Sequence, residues 1–460
     1  MTTAALETIA HDIRTSRRGR FWQSRRWRLD QLDGIHRMLS QNITLWEAAL
    51  AEDLGKSDIE AHLTEISVVL SEVRLAKRNL WHWMLPTPRP VPLTVQPAWA
   101  QTVRDPYGVV LIIGPWNYPL QLILAPLVGA LAGGNSAVIK PSEHAPATSS
   151  LLAKLAPIYF DQRTVRVVEG AVEESTTLLQ QRWDLIFYTG GGAVARIVAE
   201  AAAKHLTPTV LELGGKSPVY VDATADLTVT ARRLIWAKTV NAGQTCIAPD
   251  YLLVHEQIHD ALVAELRDAV HEQLGSAPAT NSDFARIVNQ GHFERLSALL
   301  DDGTRAVGGG TNRDDLRIEP TVLTDVSADS PVMQEEIFGP ILPMLAVSGI
   351  DEAIDFVNER EKPLALYVYA QDCAVAGRFQ RETSSGALGV NVSLAHAAVP
   401  GLPFGGVGAS GMGSYHGRRS FDAFTHEKAV LRKPTSLDTL QLAYPPYTPE
   451  KRRLLRALFR

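Results

Sequence analysis

From Val103 onward, short apolar runs alternate with stretches of helical length, and this alternation confines the chain to an α/β fold: a largely parallel sheet with helical crossovers. Residues 108–113 read as a strand, 121–131 as its helix and 136–139 as the next strand; 166–168, 185–188 and 209–213 continue the series. In open sheets of this kind, ligands bind beyond the carboxyl ends of the strands. The chemistry is therefore sought in the residues just after each run.

Residues 1–83 precede this region and read as amphipathic helix, because Leu29, Leu32, Ile35, Leu39, Ile43, Trp46 and Leu50 fall three or four apart. Arg14, Arg17, Arg18, Arg20, Arg25, Arg26 and Arg28, interleaved with Trp22 and Trp27, read as a solvated helix face or as a surface for anionic partners. Pro86, Pro88, Pro90, Pro92 and Pro97 exclude a helix and mark an extended arm or linker. At 460 residues the chain exceeds what one core supports, so more than one domain is expected. A net charge of -5 is too mild for a dedicated nucleic-acid binder, and 45% apolar with 21% charged residues is ordinary for a globular enzyme. No run reaches the roughly 18 to 20 apolar residues of a membrane-spanning helix. Two cysteines cannot build a disulfide framework and no signal-like segment opens the chain, so a cytoplasmic setting is expected.

Three strand ends carry unusual residues. In Gly114-Pro115-Trp116-Asn117-Tyr118-Pro119, Asn117 is either a cap for the next helix or a neutral donor for an oxyanion. Lys140 and Glu143 form either a surface ion pair or a grip on ribose hydroxyls. In Tyr188-Thr189-Gly190-Gly191-Gly192-Ala193-Val194-Ala195, ahead of a helix expected over 194–205, Gly190, Gly192 and Ala195 fit the dinucleotide pattern G-x-G-x-x-G/A. Glu212 lies where that pattern seeks a ribose-binding acid, yet the glycines of Leu213-Gly214-Gly215 after it also suit a mobile base. Cys246 ends the stretch Asn241-Ala242-Gly243-Gln244-Thr245-Cys246, which follows a helix expected over 227–240 with Gly243 as its C-terminal breaker. A lone cysteine is either a small core residue or a nucleophile. Spacing leaves both pairs of readings open.

Phe187-Tyr188-Thr189-Gly190, Leu211-Glu212-Leu213-Gly214-Gly215-Lys216-Ser217-Pro218, Gly243-Gln244-Thr245-Cys246 and Glu335-Glu336-Ile337-Phe338-Gly339-Pro340 resemble, in order and spacing, the aldehyde dehydrogenase superfamily. The resemblance runs over residues 51–446, and segments 201–208, 402–408 and 411–417 place it nearest the class 3 (fatty or aromatic aldehyde) branch. It implies a Rossmann-type cofactor domain (1–85 and 101–210), an α/β catalytic domain (211–395), bridging or oligomerisation segments (86–100 and 396–446) and a basic tail (447–460). It implies NAD(P)-dependent oxidation of a medium- or long-chain aliphatic or an aromatic aldehyde to the acid, through a cysteine thiohemiacetal and thioester. Cys246 would be the nucleophile, Asn117 with the Cys246 N–H the oxyanion site, and Glu212 the base for hydrolysis. Lys140 and Glu143 would hold the adenosine ribose and Trp116 would flank the cofactor channel. Gly190, Gly191, Gly192, Ala193, Val194 and Ala195 would line the phosphates, with Glu336 and Phe338 at the nicotinamide end.

NAD is the expected cofactor, with NADP also accepted; no metal is expected, and the branch implies a homodimer. A redox-independent thiol hydrolase or acyl transferase using Cys246 and Glu212 is the competing reading, against which the cofactor motifs count. Three departures stand out: Gly191 where the superfamily commonly has Ser, Ala195 where it has Gly, and Ala409 where it has Asn. Cys373 reads as an inert residue in a polar turn and His396 as structural. The tail Lys451, Arg452, Arg453, Arg456 and Arg460, interleaved with Leu454, Leu455, Leu458 and Phe459, reads as solvated or subunit-packing, with weak contact to an anionic membrane as the alternative.

Overall fold

A computed structural model describes residues 6–17, 22 and 24–458; Arg18, Arg20, Phe459 and Arg460 of the two basic ends lie outside them. The first sheet has six strands in the order Gly411–Met412, Thr209–Glu212, Leu185–Thr189, Val109–Ile113, Ser136–Lys140 and Val165–Val167. Only the Gly411–Met412 edge is antiparallel. Helices cover both faces, which is why Val109–Ile113 and Leu185–Thr189 are nearly continuous apolar runs instead of alternating ones. The crossover Gln121–Gly133 is buried on every side from Leu122 onward, packed between the sheet strands and the helices Arg25–Ser40 and Ser67–Met84. Arg28 reaches its C-terminal end and donates to the Ala132 carbonyl at 2.9 Å, supplying one of the partners that a helix end lacks.

The second sheet has seven strands: Thr304–Val307, Thr321–Thr324, Ile341–Val347, Tyr251–His255, Pro218–Val221, Ala365–Tyr369 and Ala387–Val390. All its neighbours are parallel except the first pair. A separate three-stranded antiparallel sheet joins Thr87–Arg89, Trp99–Pro106 and Thr425–Arg432, the middle and last strands pairing over eight residues. The proline-rich segment supplies its edge, the position where a missing N–H does least harm. Two boundaries differ from those expected. The arm strand runs on to Pro106, past residue 100, and Gly411–Met412, from a segment expected to bridge, completes the first sheet.

The glycine-rich helix starts earlier than expected, at Gly192, and ends at Ala203. Leu227–Thr239 ends one residue before the expected stop, and Gly243 closes a short 3-10 turn that follows it. Cys373 is no turn residue: it opens the helix Cys373–Glu382, whose N-cap Asp372 accepts the Ala374 N–H at 2.8 Å.

Candidate active site

Four strands of the first sheet end side by side at Ile113, Lys140, Thr189 and Glu212, and each hands on to one of the residues singled out by sequence. Glu212 pairs with Thr189 on one side and Gly411 on the other. Its backbone is therefore fixed, and the mobility expected from Gly214 and Gly215 is left to the side chain alone. The carboxyl is buried, and neither oxygen has a hydrogen-bond partner among the described residues. Burial pushes its pKa well up.

Cys246 comes from the second half of the chain, on a loop of unusual backbone. Asn241, Ala242 and Gly243 take φ of 51, 51 and 73° in succession. A Cβ on Gly243 would stand 2.3 Å from the Gly339 carbonyl oxygen, so only glycine fits there. Gln244 holds the loop from within, its amide donating to the carbonyls of Asn241 and Arg286 at 3.0 Å each and accepting the Val288 N–H at 3.0 Å. Asn117 is buried and donates from Nδ2 to the Gln244 carbonyl at 3.0 Å, two residues before the cysteine. Tyr118 and Thr245 share a hydroxyl hydrogen bond of 2.6 Å.

Cys246, Glu212, Asn117, Trp116, Gly190, Gly191, Glu336 and Phe338 all line one cavity of about 210 Å³. Burial pushes the Cys246 thiol up, and the charges of Glu336 and then Glu212 add to the rise; the N–H groups of Cys246 and Ile247 pull it down. Glu336 is itself pushed up to about 8, chiefly by burial and then by Asp250, against the Gly215 N–H, Lys216 and Lys238. Three acidic groups thus share one low-dielectric space, each pushed toward its protonated form. Cys246 also borders a second, apolar cavity of about 350 Å³, lined by Leu63, Val68, Trp236, Ile247, Leu394, Phe404 and others, with His416 at its wall. His416 is buried, hydrogen-bonds the Ala397 backbone, and is held neutral by burial with its pKa pulled down to about 4. The cysteine therefore stands between a cleft that holds the carboxyls of Glu212 and Glu336 and one with no carboxyl in its lining.

Of the residues expected to hold a dinucleotide, Trp116, Gly190, Gly191, Glu336 and Phe338 line the cleft on the sheet side, whereas Lys140, Glu143 and residues 192–195 lie outside its lining. The helix Gly192–Ala203 begins at its edge with Gly191 as N-cap and no side-chain cap, so no side chain takes up its first N–H groups. A Cβ at Gly191 would meet nothing within 4 Å. The serine-to-glycine departure has therefore removed a hydroxyl without closing the space. Ala195 is buried in the core behind this turn. Ala193 and Val194 lie on the helix's first turn, where Val194 is exposed. Lys140 Nζ stands 3.5 Å from Glu143 and 2.8 Å from the Pro141 carbonyl, with Lys140 buried and Glu143 exposed. Trp116 packs edge-on against Phe338 at 5.3 Å between ring centres.

Sequence reading missed several residues here. His292 lies 5.1 Å from the Trp116 ring and lines the same cavity, yet only a helix start after Asn289 marks it. Lys238, eight residues before the cysteine, is buried, donates to the Pro249 carbonyl at 2.7 Å and is pulled down to about 8 by that burial. The Tyr118–Thr245 bond was within reach, since each residue adjoins one that had been singled out. Ala409 borders a further cleft beside Glu336, and nothing around it explains the loss of asparagine.

The model of the aldehyde dehydrogenase family matches residues 16–430. Aldehyde dehydrogenase family 3 member B2 from Mus musculus is 45% identical over 450 residues, covering 98% of this chain and 94% of that protein. Family 3 member B1 from Homo sapiens is 47% identical over 430 residues, covering 93% and 92%. Among solved structures, the substrate-bound state of Staphylococcus aureus AldH superposes with a TM-score of 0.96 at 41% identity, covering 100% of both chains. Mycobacterium tuberculosis aldehyde dehydrogenase, complexed with NAD+, superposes with a TM-score of 0.83 at 26% identity over 94% of this chain and 90% of that one.

Proposed function

Since this chain belongs to the aldehyde dehydrogenase family, we propose that its NAD(P)-dependent oxidation of aldehydes to carboxylic acids runs through Cys246, Asn117 and Glu212. The observation that carries this assignment is their convergence on one cavity with the Gly190–Gly191 turn. Cys246 Sγ adds to the aldehyde carbon, and its proton is lost to a neighbouring carboxylate or to water. Asn117 Nδ2 and the Cys246 N–H hold the resulting oxyanion. Bound nicotinamide cofactor supplies the hydride acceptor, so that collapse of the thiohemiacetal leaves a thioester on Sγ. Glu212, kept basic by burial, takes a proton from the water that attacks this thioester, releasing the acid and the cysteine.

Lys140 and Glu143 would hold the adenosine ribose, and Glu336 and Phe338 the nicotinamide end. The Glu143 carboxylate disfavours a 2′-phosphate beside it, and its exposure lets it turn away, which suits NAD with NADP also accepted. The redox-independent hydrolase is not favoured, because it leaves the Gly190–Gly191 cradle and the Lys140–Glu143 pair without a task. The apolar second cavity supports medium- or long-chain aliphatic or aromatic aldehydes as substrates. Absorbance growth at 340 nm with such aldehydes tests the assignment. Cys246→Ala must abolish it while NAD still binds; a variant that reduces cofactor at the normal rate refutes the mechanism.

The protein is further read as a cytoplasmic homodimer. Leu93, Trp99 and Leu431 support the dimer, standing 91, 66 and 59% exposed on or beside the three-stranded sheet. Light scattering tests it. Among the described residues no helix is long and apolar enough to cross a membrane. The amphipathic helix Pro449–Leu458, bearing Lys451, Arg452, Arg453 and Arg456, supports at most weak contact with anionic lipid, which vesicle co-sedimentation measures.

A further inference from the structure

Beneath the Asn117 segment lies a buried ion pair from the N-terminal region, Lys56 in the linker between the helices Ile43–Leu54 and Asp58–Ala61 and Glu65 nine residues on. Lys56 Nζ stands 2.6 Å from Glu65 Oε1, and both side chains are fully buried. Lys56 also donates to the backbone carbonyl of Asn117 at 3.1 Å and lies 4.1 Å from the centre of the Tyr118 ring. Glu65 Oε2 accepts the backbone N–H groups of Leu120 at 2.9 Å and Gln121 at 3.0 Å. These belong to the N-cap and first residue of the helix Gln121–Gly133, whose own cap side chain makes no bond. The pair thus grips residues 117–121 by three backbone atoms. That segment in turn grips the nucleophile loop through Asn117 Nδ2 to the Gln244 carbonyl and through Tyr118 to Thr245.

Stability alone gives no reason for such a pair. Taking two ions out of water is costly, and a well-packed apolar pair of similar volume is commonly as stable or more so. What charge adds here is directed hold on the backbone. Glu65 sits in a π-helical turn, His62–Ile66, a distortion that places Leu63 and Thr64 on the wall of the apolar cavity while Glu65 faces the Asn117 segment.

We propose that Lys56 and Glu65 are a positioning pair for the oxyanion site: they set where the Asn117 carboxamide, and through Gln244 and Thr245 the Cys246 loop, stand as the aldehyde is attacked. This rests on the reading of Asn117 as oxyanion donor. Donors act through placement, and a shift of about 1 Å is enough to cost on the order of 100-fold in rate.

The test is single-turnover NADH formation, with enzyme in excess of NAD, in the wild type, Glu65→Asp, Asn117→Ala and the double variant. Thermal midpoint and NAD affinity are measured alongside. Glu65→Asp keeps a charge beside Lys56 and withdraws the carboxylate by one methylene. It is expected to slow the hydride step by about tenfold or more with NAD affinity within about twofold, and to add less than about threefold once Asn117 is Ala, because residues acting through one another are not additive. A hydride step at wild-type rate in folded Glu65→Asp overturns the pair, as does a loss that multiplies in full with that of Asn117→Ala. A wild-type rate in Asn117→Ala alone overturns the Asn117 reading instead, and the pair's proposed task with it. Lys56→Met with Glu65→Gln, which removes both charges together, replaces Glu65→Asp in the same comparison if that variant fails to fold.

Discussion

Glu212 stands in register with Gly411 on the edge strand beside it, so its backbone is locked into the sheet while neither oxygen of its carboxyl has a partner among the described residues. A buried acid without hydrogen bonds is expensive to keep and holds its proton tightly, which makes it a strong base once ionised. Placed beside Cys246, it suits the hydrolytic half of the reaction better than the first half. Glu212→Gln is therefore expected to form about one NADH per site in a burst and then nearly stop, with steady-state turnover down by ~100-fold or more. A stopped-flow trace with no burst, or with an undiminished steady phase, assigns the base elsewhere.

The strand ends were legible because buried parallel strands write themselves as short apolar runs, and Asn117, Lys140, Gly190 and Glu212 all follow such runs within a few residues. The G-x-G-x-x-G/A pattern falls on a strand-to-helix turn as expected, but the helix begins at Gly192 with Gly191 as its N-cap, two residues before the expected start at Val194. Lys56 and Glu65 were illegible. Lys56 looks like any other charge in a linker and Glu65 like any other on a helix, and their meaning lies in backbone atoms of residues 117–121, which only tertiary packing brings to them. The left-handed run over Asn241 and Ala242 was hidden for a related reason: local preference admits it at Asn and Gly but not at Ala242, which takes φ of 51° between them.

Glu336 links pH to stability. Its pKa of about 8 in the folded protein lies above the ordinary 4.5, so between those values the folded state keeps a proton that the unfolded chain has released. The unfolded state then binds fewer protons, and stability falls as pH rises through the window. Glu336→Gln removes this group's share of the dependence and leaves that of Glu212. Its thermal midpoint is expected to exceed that of the wild type by about 2 °C or more at pH 8 and to converge with it toward pH 5. A constant offset across the range places the titration on another group.

Gly191 offers a gain by addition. Its φ of -74° and ψ of 150° are ordinary for an N-cap, and a Cβ there meets nothing within 4 Å. Gly191→Ser supplies the side-chain acceptor that the helix Gly192–Ala203 lacks, at a position where serine and glycine differ by only a few tenths of a kcal/mol. Its hydroxyl also faces the cleft read as the phosphate site. The expected outcome is an unchanged or slightly raised thermal midpoint with NAD bound about two- to tenfold more tightly, read by fluorescence titration; weaker binding would show that the open space at Gly191 is itself used.

Substrate choice follows from the apolar cavity beside Cys246. Its walls offer Leu63, Val68, Trp236, Leu394 and Phe404, with hydroxyl groups of Thr64, Tyr118, Thr245 and Tyr415, the Gln121 amide and neutral His416 as polar points and no charged side chain among the described residues. Each methylene buried there is worth ~0.8 kcal/mol, so kcat/KM is expected to rise about three- to fourfold per carbon along a series of straight-chain aldehydes until the space is filled. A semialdehyde of equal length brings a carboxylate into the same space with no cation to meet it, and should fall short of the alkanal by ~100-fold or more. Thr64→Lys separates this account from one based on length alone. A cation on the cavity wall should recover part of the semialdehyde rate while lowering the alkanal rate, so the ratio of the two kcat/KM values inverts its trend. A proportional loss on both substrates would instead mean that the far end of the aldehyde never reaches Thr64.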